Sequence, residues 1–321
     1  MTALIEARGL TKSFGTLRAV DGISLEVPRG QVLGFLGPNG AGKSTTMRLI
    51  TGFLEPDAGS VRIAGLDVQE QGKEAKQHLG YLPEGAPLYT EMTPKGLLTF
   101  VAELRGFRGE ALAGAVAKAV ERTGLGPVLH QTIETLSKGY KRRVGIAQAI
   151  LHQPEVLIMD EPTDGLDPNQ KHQVRELIAE MARDTAIVVS THILEEVEAV
   201  CTRAVVINKG RIVADGTAED LMKLVPYHGA VTIRVAGDKA EAVRGALSAV
   251  AGVKVVETVG SAVDGQLQLR VIPKNGAGIV TEVASAIRQK ALAVDEIFVE
   301  RGKLDDVFRQ ITSSDLDDRH A

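Results

Sequence analysis

The residues with the clearest capacity for chemistry lie early in the chain. Gly37-Pro38-Asn39-Gly40-Ala41-Gly42-Lys43-Ser44 fits the pattern G-x-x-x-x-G-K-[ST]. Glycines let a backbone curl so that successive N–H groups face one concavity. Thr45-Thr46-Met47-Arg48-Leu49-Ile50 follows and reads as a helix, whose free N–H groups and positive end favour a bound phosphate. Lys43 would reach the β- and γ-phosphates of a nucleoside triphosphate, and the Ser44 hydroxyl would ligate Mg²⁺. A plain glycine-rich turn before a helix is the competing reading. The apolar run Val32-Leu33-Gly34-Phe35-Leu36 ahead of the loop supplies the strand–loop–helix context that favours the phosphate site.

A second constellation completes the chemistry. Val156-Leu157-Ile158-Met159 is a short, continuous apolar run, the pattern of a strand buried on both faces. It delivers Asp160 and Glu161 to its carboxyl end, where open α/β sheets bind ligands. Asp160 would hold Mg²⁺ through water, and Glu161 would polarise an attacking water as general base. Two carboxylates after an apolar strand also make an ordinary solvated turn; the phosphate loop upstream favours the catalytic reading.

The elements that must position these groups can be read in outline. Short strands are expected at 4–7 and 23–27, and helices at 94–106, 110–124, 141–152 and 169–183. Ala186-Ile187-Val188-Val189-Ser190 is another buried strand, and Val205-Val206-Ile207 with Ile212-Val213 reads as a hairpin around Lys209-Gly210-Arg211. Strands alternating with helices give an α/β domain. Near Val225-Pro226-Tyr227-His228-Gly229 the pattern restarts. Strands at 231–235, 253–259, 267–271 and 297–299 with helices at 239–250 and 278–291 give the order βαββαβ, that of a ferredoxin-like α+β domain. The expected domains are 1–222 and 229–311, with a final helix at 303–311 and a polar tail, 312–321, expected to be disordered.

Further motifs carry a resemblance. Leu136-Ser137-Lys138-Gly139-Tyr140 resembles the signature of ABC ATPases, usually written LSGGQ, and lies just upstream of the Asp160-Glu161 strand. Thr163-Asp164-Gly165-Leu166-Asp167-Pro168 is similar to the D-loop of that family, Ser190-Thr191-His192 to its switch histidine, and Leu82-Pro83-Glu84 stands where its Q-loop is found. The resemblance runs from residue 4 to about 220. It implies a P-loop ABC ATPase domain with a helical subdomain, joined to the smaller C-terminal domain. The nucleotide contacts it implies are Phe14 on adenine, the loop Gly37 to Ser44 with Thr45, and Glu84, Asp160 and Asp167. Ser137 and Gly139 would meet the nucleotide of a second subunit. His192 would act beside Glu161 at the γ-phosphate. The metal ligands implied are Ser44, Glu84 and Asp160. Each lesser motif also has a plain reading: Phe14 as core, His192 as a structural histidine, Ser137 as a simple helix cap.

The sequence departs from the family pattern at Lys138 and Tyr140, where glycine and glutamine are usual, and at Glu84, where glutamine is. A carboxylate at 84 still suits a hard cation. It adds a charge worth roughly 4 kcal/mol at about 4 Å in an effective dielectric near 20, against about 1 in water, so Mg²⁺ dependence is expected to differ from that of a glutamine-bearing relative.

One phosphate loop and one signature per chain imply a head-to-tail pair, expected to be a homodimer, that sandwiches two ATP molecules. The C-terminal βαββαβ unit, closing with Leu304-Asp305-Asp306-Val307-Phe308, is similar to the ends of ATPases serving ABC-2-type exporters. An ABC-2-type transmembrane permease is then the implied partner, and the helical region 85–150 its docking surface. The chain would sit on the cytoplasmic face of the inner membrane. No apolar run reaches the roughly 18 residues that a spanning helix needs, and no signal peptide is apparent. The lone Cys201 reads as a packed thiol in a reducing compartment. The formal net charge of −4 and absence of a basic stripe make nucleic acid an unexpected partner. The alternative reading is a soluble ABC ATPase acting on the ribosome or DNA. Such proteins usually carry two cassettes or long coiled coils, and neither is evident.

Overall fold

The structure, a computed structural model, describes residues 3–317 apart from 86, 226, 264, 275–277 and 301, and the backbone alone at 262, 263 and 312–317. The chain divides into two compact units, 1–218 and 219–321.

A six-stranded sheet forms the centre of the first unit. Its order is Arg211–Gly216, Arg203–Asn208, Val32–Leu36, Ala186–Thr191, Val156–Asp160, Leu79–Leu82. All neighbours are parallel except the Arg203–Asn208/Arg211–Gly216 hairpin at one edge. Its turn, Lys209-Gly210, has φ of 46° and 76°, as a two-residue hairpin requires. The apolar runs predicted as doubly buried strands are buried throughout. Side chains alternate across a strand, so Val156 and Ile158 enter one core layer with Phe35 and Met47, while Leu157 and Met159 enter the opposite layer with Ile146 and Ile178.

A separate antiparallel sheet, in the order Leu17–Pro28, Ala3–Phe14, Ala58–Ile63, Leu66–Asp67, shares the first of these cores. Its first two strands are each 12 residues long, much longer than the fragments expected at 4–7 and 23–27. Register shifts near Gly9 and Gly22, both at positive φ, let the pairing continue past them. The helices Pro94–Leu104, Gly109–Thr123 and Lys138–Ile150 build a third core around Leu97, Leu98, Val116 and Val144. The last starts three residues before the predicted helix at 141, because Ser137 caps it.

In the second unit the strands Val231–Ala236, Val253–Val263, Gln266–Pro273 and Glu296–Val299 alternate with the helices Ala240–Ser248 and Val280–Gln289 in the order βαββαβ. The sheet runs second–third–first–fourth, all antiparallel, the ferredoxin-like arrangement. Its own core holds Val231, Ile233, Leu247 and Val283.

The unit boundary falls a little before the expected one, at the start of the helix Ala218–Met222. The segment after this helix is not a free linker. A Cβ at Gly302 would come within 2.2 Å of the Met222 carbonyl oxygen, and Gly229 N–H donates to the Glu300 carbonyl at 3.2 Å. Pro226, placed by sequence in that linker, lies outside the described residues. The tail expected to be disordered from 312 instead continues the final helix, Leu304–Asp317; residues 318–321 lie outside the described residues.

Candidate active site

Four parallel strands end at the same edge of the sheet, and the sequence-predicted residues follow from those ends. Leu36 leads into the phosphate loop, Leu82 to Glu84, Asp160 to Glu161, and Thr191 to His192. The register pairs Leu36 with Thr191, Asp160 with Ser190 and Leu82 with Met159. Residues far apart in sequence are thereby held side by side.

The loop is shaped by two left-handed glycines. Gly40 and Gly42 have φ of 80° and 105°, and Gly42 stands at the N-cap of the helix Lys43–Ile50. Gly37 and Ala41 turn inward: a Cβ at Gly37 would meet the Ile207 carbonyl at 2.6 Å, and Ala41 is buried. Pro38 is half-buried beside them. Asn39, Gly40, Gly42, Lys43, Ser44 and Thr45 line an open cleft of about 430 Å³, together with Phe14, Glu84 and Glu161. Phe14 sits half-exposed at the rim with Leu17, as a face for a planar base requires.

Lys43 is buried, and its Nζ donates to the carbonyls of Gly37 at 2.7 Å and Pro38 at 3.3 Å. Burial pulls its ammonium below the ordinary value, and Glu161, Asp160 and Glu84 oppose this by their negative charge. The Asp160 carboxylate is buried and accepts from Ser190 Oγ at 2.7 Å. Glu161 has a left-handed backbone, φ 50°, rare for a residue with a side chain. Its N–H donates to the Ser190 carbonyl, and Oε2 lies 2.9 Å from His192 Nδ1. Burial pushes the Glu161 carboxyl above the ordinary carboxylate value, against the stabilising hydrogen bond from His192.

Not every expected residue gathers here. Ser137 is exposed and accepts from Tyr140 N–H at 3.4 Å as the cap of the helix Lys138–Ile150. Gly139 is buried, with the Gln170 side chain where a Cβ would lie. Neither lines the cleft. Asp167 also lies off it; its carboxylate caps the helix Pro168–Met181 in a capping box with Gln170.

Two buried charged groups near the site were not singled out from sequence. Arg142, 6% exposed, faces Asp164, Asp160, Glu161 and Glu84, and its Nη1 has no hydrogen-bond partner among the described residues. Glu196, 2% exposed, accepts from Thr163 and Thr191. In the sequence, Glu196 is one of three glutamates in Glu195-Glu196-Val197-Glu198, and nothing local marks which one is buried.

Residues 20–164 match the family described as ABC transporter. The chain is also 32% identical over 324 residues to the daunorubicin/doxorubicin resistance ATP-binding protein DrrA of Streptomyces peucetius, covering 99% of this chain and 95% of that protein. The chain belongs to the ABC transporter ATPases. It is 36% identical over 219 residues to the probable multidrug ABC transporter ATP-binding protein YbhF of Escherichia coli, over 68% of this chain but only 38% of YbhF. The chain therefore spans well under half the length of that relative. A solved structure of an ATP-binding subunit of an ABC transporter superposes with a TM-score of 0.64 at 31% identity, over 68% of this chain and 92% of that one.

Within the ABC family frame, the cleft chemistry is coherent. The loop offers N–H groups and one ammonium to phosphates. Ser44, Asp160 and Glu84 offer oxygen donors, the set that a hard divalent cation such as Mg²⁺ prefers.

Proposed function

We propose that the chain binds MgATP in this cleft and hydrolyses it as one of a head-to-tail pair of subunits, driving export through a separate ABC-2-type permease. In this reading Lys43 and the loop N–H groups hold the β- and γ-phosphates. Ser44, Asp160 and Glu84 hold Mg²⁺, which would neutralise charge on the transferring phosphoryl group. Glu161 takes a proton from the attacking water, and His192, 2.9 Å from it, orients that carboxylate and reaches the γ-phosphate. Phe14 stacks on the base. Asp167 acts through the loop before it, which it joins to the helix Pro168–Met181 as that helix's N-cap.

The observation that carries the reading is the split between the two halves of the site. Lys43, Glu161 and His192 converge at one sheet edge, whereas Ser137 sits exposed at a helix N-terminus outside the cleft. A second copy would bring its Ser137 and Gly139 to the γ-phosphate. Binding then closes the pair, and hydrolysis opens it.

The permease is supported by the names of the two relatives above, a probable multidrug ABC transporter ATP-binding protein and a daunorubicin/doxorubicin resistance ATP-binding protein. It is also supported by a groove of about 220 Å³ lined by Phe53, Leu79, Tyr81 and Val101 with Lys76 and Arg105 at the helical subdomain. Among the described residues no helix is long and apolar enough to cross a membrane; in this reading the permease holds the chain to the cytoplasmic face.

The test is the oligomeric state of Glu161→Gln. Losing a general base costs about 10²–10⁴-fold in rate, enough to preserve a closed pair through size exclusion with light scattering. Dimer with saturating MgATP and monomer without it is the expected result. A Glu161→Gln protein that stays monomeric with saturating MgATP overturns the sandwich.

A further inference from the structure

We infer that Glu196 is a positioning residue for ATP hydrolysis, tying the segment after the general base to the segment that carries His192. This rests on the assignment of Glu161 and His192 above. Glu196 lies on the short helix Leu194–Val200 and is almost fully buried. Both of its carboxylate oxygens are committed. Oε1 accepts from the Thr163 hydroxyl, and Oε2 accepts from the Thr191 hydroxyl at 3.0 Å. Thr163 and Thr191 are themselves buried. Thr191 Oγ1 also accepts from the Ile193 N–H at 3.0 Å. Lys171 Nζ stands 3.9 Å from Oε1.

The connectivity gives this carboxylate its role. Thr163 follows Glu161 by two residues, and Thr191 immediately precedes His192. Glu161 and His192 close on each other at 2.9 Å. The chain path from Glu161 to Thr163, through Glu196 to Thr191, and on to His192 is therefore a closed ring. One link of that ring, Glu161, holds a left-handed backbone, which persists only where its surroundings over-determine it. A buried carboxylate is costly unless it is hydrogen-bonded, and here the bonds go to the two segments whose relative placement sets the Glu161–His192 contact. Glu196 touches neither cleft nor substrate; it acts through the segments that do.

The test compares kcat and MgATP affinity for the full chain and for Glu196→Ala, Glu196→Gln, Thr163→Val and Thr191→Val. Glu161→Gln and His192→Ala serve as controls. Glu196→Ala is expected to lower kcat at least about tenfold while MgATP affinity stays within about twofold. Glu196→Gln should recover most of that loss, because its amide oxygen and NH₂ can pair with two hydroxyls that both donate and accept. In a His192→Ala background, Glu196→Ala should cost less than about twofold more, since coupled residues are not additive. If Glu196→Ala does not fold, each threonine variant removes one arm and carries the same cycle.

Unchanged kcat in Glu196→Ala, or in the threonine variants where that protein does not fold, overturns the inference. So does a penalty that adds in full to that of His192→Ala, or a fall in MgATP affinity as large as the fall in kcat. If Glu161→Gln and His192→Ala themselves keep activity, the catalytic assignment fails instead, and the two failures are thereby told apart.

Discussion

Lys43 already spends its ammonium on two loop carbonyls, so an incoming phosphate exchanges those weak partners for a charged one. Hydrogen bonds to charged groups contribute about 1.5–3 kcal/mol. Lys43→Ala should therefore weaken MgATP binding by roughly 10–100-fold, as read by titration with a fluorescent nucleotide; unchanged affinity would remove the loop assignment. Glu161 gives a pH prediction. Its carboxyl is held above the ordinary carboxylate value by burial, and in the proposed role of general base it would work only when ionised. The pH profile of kcat/KM, which reports the free chain, should fall on the acid side through a midpoint above the ordinary carboxylate value. The same shift has a sign for stability. A carboxyl raised on folding stabilises the native chain below its unfolded pKa, and that contribution is lost as pH rises through the folded pKa. Glu161→Gln, neutral throughout, should thus raise the thermal midpoint of the nucleotide-free chain at neutral pH, and a lowered midpoint would contradict this. At this scale much was legible. Lys43, Asp160 and Glu161 could be singled out from the motifs that hold them and His192 from the family resemblance, and the fold brings all four to one edge of the sheet. Arg142 and Glu196 were not, because what singles them out is burial against partners distant in sequence.

The loop shows what an element adds to its residues. Gly42 has φ of 105°, and a Cβ there would meet the Ala19 carbonyl oxygen at 2.3 Å; Gly40, φ 80°, has open space around it. The left-handed backbone alone costs a non-glycine residue roughly 1–2 kcal/mol. Gly40→Ala should pay about that and keep its fold, whereas Gly42→Ala adds a backbone clash and should lower the thermal midpoint much further. Equal midpoints for the two variants would refute the geometry. Cys201 offers a second element-scale test, because packing beside the strand Val32–Leu36 sets its reactivity. Its Sγ would lie 2.9 Å from a Cβ at Gly34, and burial, with the nearby Glu196 charge, pushes the thiol up to about 12. The thiolate is the reactive form, so iodoacetamide at pH 8 should label the folded chain very slowly and the denatured chain readily. Strands such as Val156–Asp160 could be read because their apolar runs are unbroken. Leu79–Leu82 could not: its Gly80 looks like a breaker, yet a Cβ there would stand 2.3 Å from the Ala149 carbonyl, so the glycine is there to let a helix approach.

At the scale of the whole molecule, the order of the two units could be read from sequence, but their boundary was placed a few residues late. The restart of strand alternation near 231 is visible in composition, whereas packing of the segment just before it on its own unit is not. Val225 is 3% exposed and sits against Gly302, as does the Met222 carbonyl. A cut after Leu224 would therefore leave the helix Ala218–Met222 attached to the wrong fragment, stripped of its packing. A cut after Thr217 respects the division at 218. The cores around Phe35, around Ile178 and around Leu97 draw only on residues before that point, and the core around Val231 only on residues after it. The cleft-lining residues, from Phe14 to Glu161, also precede it. Residues 1–217 should then be soluble, unfold cooperatively, and bind MgATP within about tenfold of the full chain, a difference of roughly 1.4 kcal/mol. The fragment ending at Leu224 should be the less soluble of the two. Thermal unfolding and nucleotide titration of both fragments decide the matter. An insoluble 1–217 fragment, or one that no longer binds MgATP, would mean that the first unit depends on the second for its fold.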